Sequence, residues 1–181
     1  MRTRISKSAF FLLITLALVS SGCLISGTFV VVEDFDFDFT AQGGFYWYPV
    51  DLTGNSVWED HADDIDNIDA IGMQFTIRNT SDVSSTLTIR IKRASGAADP
   101  DGVPPPITGA TAIIEGLTVP ANSSRVIGYV GSLAYITNLD KIKEIIMSGR
   151  FDLYGTSTGG PEEPFEVRDG KIVVTISASS T

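Results

Sequence analysis

The most reactive side chain in this sequence is the thiol of Cys23, and it is the chain's only cysteine. A lone cysteine cannot close a disulfide within its own chain, so it asks for another explanation. A second set of groups lies further on. Glu59, Asp60, Asp63, Asp64, Asp66 and Asp69 cluster in sequence, with His61, the only histidine, among them. Calcium takes about six to eight oxygen ligands, mostly carboxylates and carbonyls. Asp60, Asp63, Asp64 and Asp66 are therefore the candidate metal ligands, with calcium as the cofactor they would hold. The glycine and closing glutamate of an EF-hand are missing. The plain alternative is a solvated acidic loop that leads into a strand. Asp34, Asp36 and Asp38 make a shorter acidic row, spaced about 6.6 Å apart on one strand face. Charge in that position also discourages edge-to-edge pairing, which is the simpler reading of it.

Phe45-Tyr46-Trp47-Tyr48 is a run of aromatics. Alternation puts Phe45 and Trp47 on one side, read as core, and Tyr46 and Tyr48 on the other. Tyr46 and Tyr48, with Trp58, are the candidate contact residues for a glycan, a headgroup or a protein. Exposed aromatics mark interfaces, although edge packing is the competing use. Gly155-Thr156-Ser157-Thr158-Gly159 matches the nucleophile-elbow pattern. That chemistry needs a helix after the serine and a histidine later in the chain. Here Gly160-Pro161-Glu162-Glu163-Pro164 follows, and His61 lies upstream, so the stretch reads as a turn. One cysteine and one histidine exclude a zinc site of three histidines within the chain. Paired carboxylates could in principle hydrolyse glycosides. With 22 acids, however, some pair falls at a suitable separation by chance. No catalytic residues are assigned, and the chain is expected not to be an enzyme.

The surroundings of Cys23 supply its explanation. Arg2, Arg4 and Lys7 stand at the start with no acid among them. Ala9 to Val19 is apolar except for Thr15, and Ser20, Ser21 and Gly22 follow. A basic start, a short apolar core and small residues before a cut make a secretory signal. Ser20-Ser21-Gly22-Cys23 resembles the lipobox of bacterial lipoproteins. In that family the thiol takes a diacylglyceryl group, a peptidase cuts before the cysteine, and the new amino group is usually acylated, often with palmitate. The resemblance makes Cys23 the lipidated residue and Gly22 the last residue removed. It departs from the family at Ser20, where leucine is commonest. Leu24 follows the cysteine. In enterobacteria an aspartate there resembles an inner-membrane retention signal, so its absence implies the outer membrane. The expected layout is a signal peptide over 1–22, a lipidated tether over 23–28 and one domain over 29–181. A cut elsewhere, or a leader retained as an anchor, is the alternative.

The whole chain carries 13 Lys/Arg against 22 Asp/Glu, a net charge of −9. Removing the leader removes three basic residues and leaves ten, so the mature part stands at −12. Such a chain is a poor partner for nucleic acid, whose backbone binds through cations. About 160 residues remain, enough for one domain with a core.

Period-two alternation dominates that domain, and it marks half-buried strands. Ile71, Met73, Phe75 and Ile77 alternate with small or polar residues, as do Leu87, Ile89 and Ile91. Asn79-Thr80-Ser81-Asp82 lies between them and has turn composition. The two runs, 71–78 and 85–92, are expected to form an antiparallel hairpin. Further strands are expected at 111–119, 124–130, 149–155 and 171–177, with weaker ones at 44–50 and 164–168. Eight or nine short strands imply a mainly β fold, two packed antiparallel sheets in an Ig-like sandwich. One short helix is expected at 139–148, with Leu139, Ile142, Ile145 and Ile146 on one face, Thr137 or Asn138 as cap and Gly149 at its exit. Residues 51–66 and 94–109 read as long loops.

Met73-Gln74-Phe75-Thr76-Ile77-Arg78-Asn79-Thr80-Ser81-Asp82 resembles the strand and turn of many Ig-like or LEA-type β-sandwiches. The stretch from Leu117 to Val130 resembles their strand, Pro-Ala turn and strand. Such folds host many roles, so this resemblance implies fold alone. The functional expectation is a lipid-anchored interaction module of the cell envelope that contacts another envelope protein. Its alternative is a calcium- or glycan-binding module.

Overall fold

A computed structural model describes residues 26–38, 45–94, 104–158 and 165–179. Among the described residues eight strands form two antiparallel sheets. They are β1 (Ser26–Asp38), β2 (Tyr46–Asp51), β3 (Ile65–Asn79), β4 (Ser85–Arg93), β5 (Thr111–Val119), β6 (Ser123–Ile127), β7 (Arg150–Ser157) and β8 (Phe165–Ser179). One sheet has the order β1-β8-β3-β6 and the other β2-β7-β4-β5. The sandwich expected from alternation is therefore the observed fold. Its connectivity is that of an eight-stranded jelly roll, not of an Ig domain, because the chain passes repeatedly from sheet to sheet.

Alternation explains most of the strands. Val31, Phe35, Ile71, Met73, Phe75, Ile77, Ile172, Val174 and Ile176 point inward from the first sheet. Leu87, Ile89, Ile91, Ile114, Leu117, Phe151 and Leu153 meet them from the second. Fully burying one such side chain contributes about 1.5–3 kcal/mol. This shared core is what holds the two sheets face to face.

The expected hairpin does not form. Residues 71–78 and 85–92 are strands, but β3 pairs with β8 and β6 while β4 pairs with β5 and β7. Asn79 explains the crossing. It is fully buried at the end of β3. Its Nδ2 donates to the carbonyls of Val83 at 2.8 Å and Val119 at 3.1 Å. Its Oδ1 accepts from the Ser81 N–H and hydroxyl at 2.9 and 2.7 Å. One side chain thus satisfies the polar groups where the chain leaves one sheet and β5 ends in the other.

The expected 124–130 strand stops at Ile127. Gly128 turns the chain into α2 (Tyr129–Leu133), which continues the sheet edge beside β3. There the Met73 N–H donates to Ser132 Oγ at 2.9 Å, replacing the partner that β6 no longer supplies. The Tyr129 ring occupies the space above Gly72 that a side chain would fill.

Three short helices replace the single one expected among these residues. Residues 51–66 are no open loop. Asn55 caps α1 (Ser56–His61) through a bond from the Val57 N–H, and Trp58 buries its indole in the core. The helix α3 (Leu139–Ile146) closes one end of the sandwich with Ile142, Ile145 and Ile146, while Leu139 stays 40% exposed. Neither expected cap acts on α3. Asn138 is left-handed at φ 56° and donates to Thr137 Oγ1, and Thr137 donates to the Ala112 carbonyl. Gly149, at φ 72°, ends the helix as expected, donating to the Ile146 carbonyl.

Candidate functional site

Gly22 and Cys23 lie outside the described residues, as do the side chains of Asp36 and Asp38. The acidic stretch is described, and its carboxylates do not gather round one point. Among the described residues no group of three or more His, Cys, Asp or Glu side chains converges as a metal site. The stretch winds over Trp58 as α1 and a 3-10 turn at Ala62–Asp64, so its carboxylates fan outward. Asp60 and Asp63 are exposed and Asp64 is half-buried. Asp66 accepts from Ser179 Oγ at 2.6 Å, and Asp69 from Ser177 Oγ at 3.1 Å. These carboxylates tie β3 to β8 instead of curling round one point. His61 stacks on Phe29 with ring centroids 3.7 Å apart.

The aromatic run has the opposite phase from the one expected. Val50 must enter the core opposite Phe151, and alternation then turns Tyr48 and Tyr46 inward. Tyr46 is 5% exposed, Trp58 is 4% exposed, and Tyr48 packs against the core. None of the three is a free contact residue. Phe45 and Trp47 face outward instead, both half-buried.

That reversal assembles a cluster on the outer face of the β2-β7-β4-β5 sheet. Cross-strand register places Trp47, Tyr154 and Arg90 in one row and Pro49, Asp152 and Lys92 in the next. Trp47 Nε1 donates to Asp152 Oδ1 at 2.8 Å. Phe45 meets the Tyr154 ring edge-on at 5.5 Å. Lys92 Nζ donates to the Pro106 carbonyl at 3.0 Å, so the proline run lies against this face. Asp152 is 3% exposed and Tyr154 fully buried, although both lie outside the core shared by the sheets. The Tyr154 hydroxyl is buried, with the Asp152 carboxylate as the polar group that bears on it. Burial, and then the Asp152 charge, push that phenol up to about 12.

Burial also raises the Asp152 carboxyl above the usual aspartate value, against the opposing pull of the Trp47 bond, the Lys92 charge and the Tyr154 hydroxyl. Its sign in stability is definite. A raised folded value means the ionised form costs stability, and the cost is fully present above that value. As pH falls through it, the folded state takes up a proton before the unfolded state does, so the penalty fades toward about pH 4. Asp152→Asn should therefore raise the urea midpoint at pH 7 and narrow its advantage at pH 4–5. Equal differences at both pH values would remove the burial penalty.

Sequence reasoning missed this cluster. Asp152 stands at an alternating position between Phe151 and Leu153, which reads as solvent-facing. The available signal was an acid followed two residues later by tyrosine in one strand, with a tryptophan able to face them from another. The region from Gly155 holds no elbow among the described residues. β7 runs on to Ser157, and Thr158 turns and pairs with Thr86.

No protein-family model matches the chain. No curated protein matches it either. Solved structures similar to it at low identity include two viral ones. One is the infectious bursal disease virus Gx strain, at 14% identity and a TM-score of 0.35, covering 86% of this chain and 32% of that one. This chain therefore spans about a third of that protein's length. The other is Desmodium yellow mottle tymovirus, at 16% identity and a TM-score of 0.34, covering 86% of this chain and 89% of that one.

Proposed function

We propose that the chain is a non-enzymatic, lipid-anchored interaction module of the bacterial cell envelope. Lipid on Cys23 tethers it, in the outer membrane by the reading of Leu24, and the outer face of the β2-β7-β4-β5 sheet contacts another envelope protein. The anchoring half is supported by the basic start, short apolar core and Ser-Ser-Gly-Cys of the leader. Two or three acyl chains hold a protein stably, at about 0.8 kcal/mol per buried methylene.

The contact half is carried by one observation. Trp47 and Phe45 sit half-buried on an outer sheet face, over a buried Asp152 and Tyr154 that the core between the sheets does not need. Tryptophan and arginine are the residues that concentrate binding energy at interfaces, and Arg90 shares a row with Trp47 across Tyr154. Arg90 and Lys92 also put cations on one face of an acidic protein, which suits an acidic partner.

The test is crosslinked capture from native envelopes by wild type and by Arg90→Glu, a surface change that leaves the Trp47–Asp152 bond in place. Wild type should recover one stoichiometric protein, and Arg90→Glu should lose most of it. Equal capture by both moves the contact off this face. Recovery of glycan without protein would assign Trp47 to sugar stacking and favour the ligand-binding reading.

A further inference from the structure

We infer that the outer face of the β1-β8-β3 sheet lies flat against the bilayer that holds Cys23. This rests on the lipid-anchor reading and adds an orientation to it.

The face carries an apolar band in register. Val32, Val173 and Gly72 are aligned across β1, β8 and β3, and Val30, Thr175 and Ala70 form the neighbouring row. Val30 is 51% and Val32 41% exposed, although both stand in the middle of a regular strand. The band continues over Gly72 to the Tyr129 ring, and the same short helix carries Val130, which is 79% exposed. Polar rows flank it on both sides. On one side are the Lys171–Asp34 and Arg78–Glu166 pairs. On the other, Ser177 and Ser179 bond to Asp69 and Asp66. An apolar strip between polar rows is the pattern of a surface that meets lipid or protein.

The short tether brings lipid to this face, and charge and packing exclude the other poses. Cys23 stands three residues before Ser26, where β1 begins, so the anchor is at most about 11 Å of extended chain from that strand. A tether this short leaves three ways to meet the bilayer: end-on at Ser26, flat on the face that β1 borders, or on the free edge of β1. Charge disfavours the first. Ser26 pairs with Ser179 and Gly27 with Ala178, and Ala178 pairs with Ile65, so the Ser26 end adjoins Asp63, Asp64 and Asp66. Standing on that end would press Asp63 and Asp64 into headgroups, whereas the carboxylates beside the apolar band are engaged, Asp34 and Glu166 by Lys171 and Arg78, and Asp66 and Asp69 by serine hydroxyls. The third way out, the free edge of β1, is covered. Asn55 Nδ2 donates to the Val32 carbonyl at 2.9 Å, and His61 stacks on Phe29, so α1 runs along that edge. Lying flat buries valines and leaves the Trp47 face pointing away from the membrane.

The test uses the full acylated chain in phosphatidylcholine vesicles with and without doxyl-labelled lipid. Acylation blocks the Cys23 sulfur, so one added cysteine is the sole reactive thiol for a fluorophore. Val32→Cys and Val130→Cys report the band, Thr88→Cys the opposite sheet, and Asp63→Cys the acidic end. Doxyl lipid should quench the Val32 and Val130 probes several-fold more than the Thr88 and Asp63 probes. Strongest quenching at Asp63 would establish the end-on pose and overturn the inference. Probes at Val32 that are shielded from aqueous iodide yet unquenched by doxyl lipid would overturn it too, and assign the band to a second copy or another protein. A chain that does not float with the vesicles removes the anchor itself. One that floats with all four probes alike keeps the anchor and loses only the orientation.

Discussion

Gly170→Ala should cost about 2–4 kcal/mol of stability and shift the urea midpoint accordingly, as overpacked and strained core sites do. A methyl group at Gly170 would stand 2.2 Å from the Phe35 carbonyl oxygen and 2.5 Å from its ring. The ring could rotate, but the carbonyl belongs to the backbone of β1. Relief would require β1 to move off β8 where the register already shifts, between Phe35 and Phe37. Phe35 is 1% exposed and packs toward Phe75 and Tyr48, so the movement would open the core. The sign is informative because glycine inside a strand ordinarily costs about 0.5–1 kcal/mol relative to alanine. Gly128→Ala is the control, since a methyl there meets nothing within 4 Å. Gly170→Ala as stable as wild type would mean that β1 does not pack on β8 in this register.

Cys23→Ala should move the protein from the membrane fraction to the soluble fraction almost completely. The expectation follows from the size of the anchor term. Each acyl methylene contributes about 0.8 kcal/mol, so two or three chains hold the protein in effect permanently. The apolar band offers a few valines on a flat surface, which without the lipid should give only weak, reversible association. Mature acidity, ten basic residues against 22 acids, further opposes rebinding to anionic lipid. Fractionation of cells expressing wild type and Cys23→Ala checks it. A Cys23→Ala protein that still pellets with membranes would show that the leader is retained as a span, or that the domain binds membranes unaided.

The sequence shows clearly which residues are strands and poorly which strands are neighbours. Alternation over Ile71–Ile77 and Leu87–Ile91 reports one buried face for each, whatever sheet it belongs to. Asn79-Thr80-Ser81-Asp82 has the composition of a hairpin turn. Its actual work depends on the Val119 carbonyl, forty residues away, and no local pattern reveals that bond. The phase of β2 was hidden for a different reason. Phe45 to Tyr48 are all aromatic, so alternation has no contrast there. Val50, at the end of the strand, decides it by entering the core. In the acidic stretch, the charge obscured a helix signal. Asn55 before a short run ending in Trp58 is a cap and an anchor, and the buried indole makes the helix. Asp152 was the least legible. An acid at an alternating position reads as solvated, and its burial appears only when Trp47 and Lys92 come beside it from other strands.

The most direct measurement is the intact mass and amino-terminal peptide of the chain extracted from membranes. The expected chain begins at Cys23 and is heavier by a diacylglyceryl group on sulfur and by a further acyl group where the amine is modified. A mature chain cut at another position with a free Cys23 thiol, or one that retains Met1 to Gly22, would contradict it.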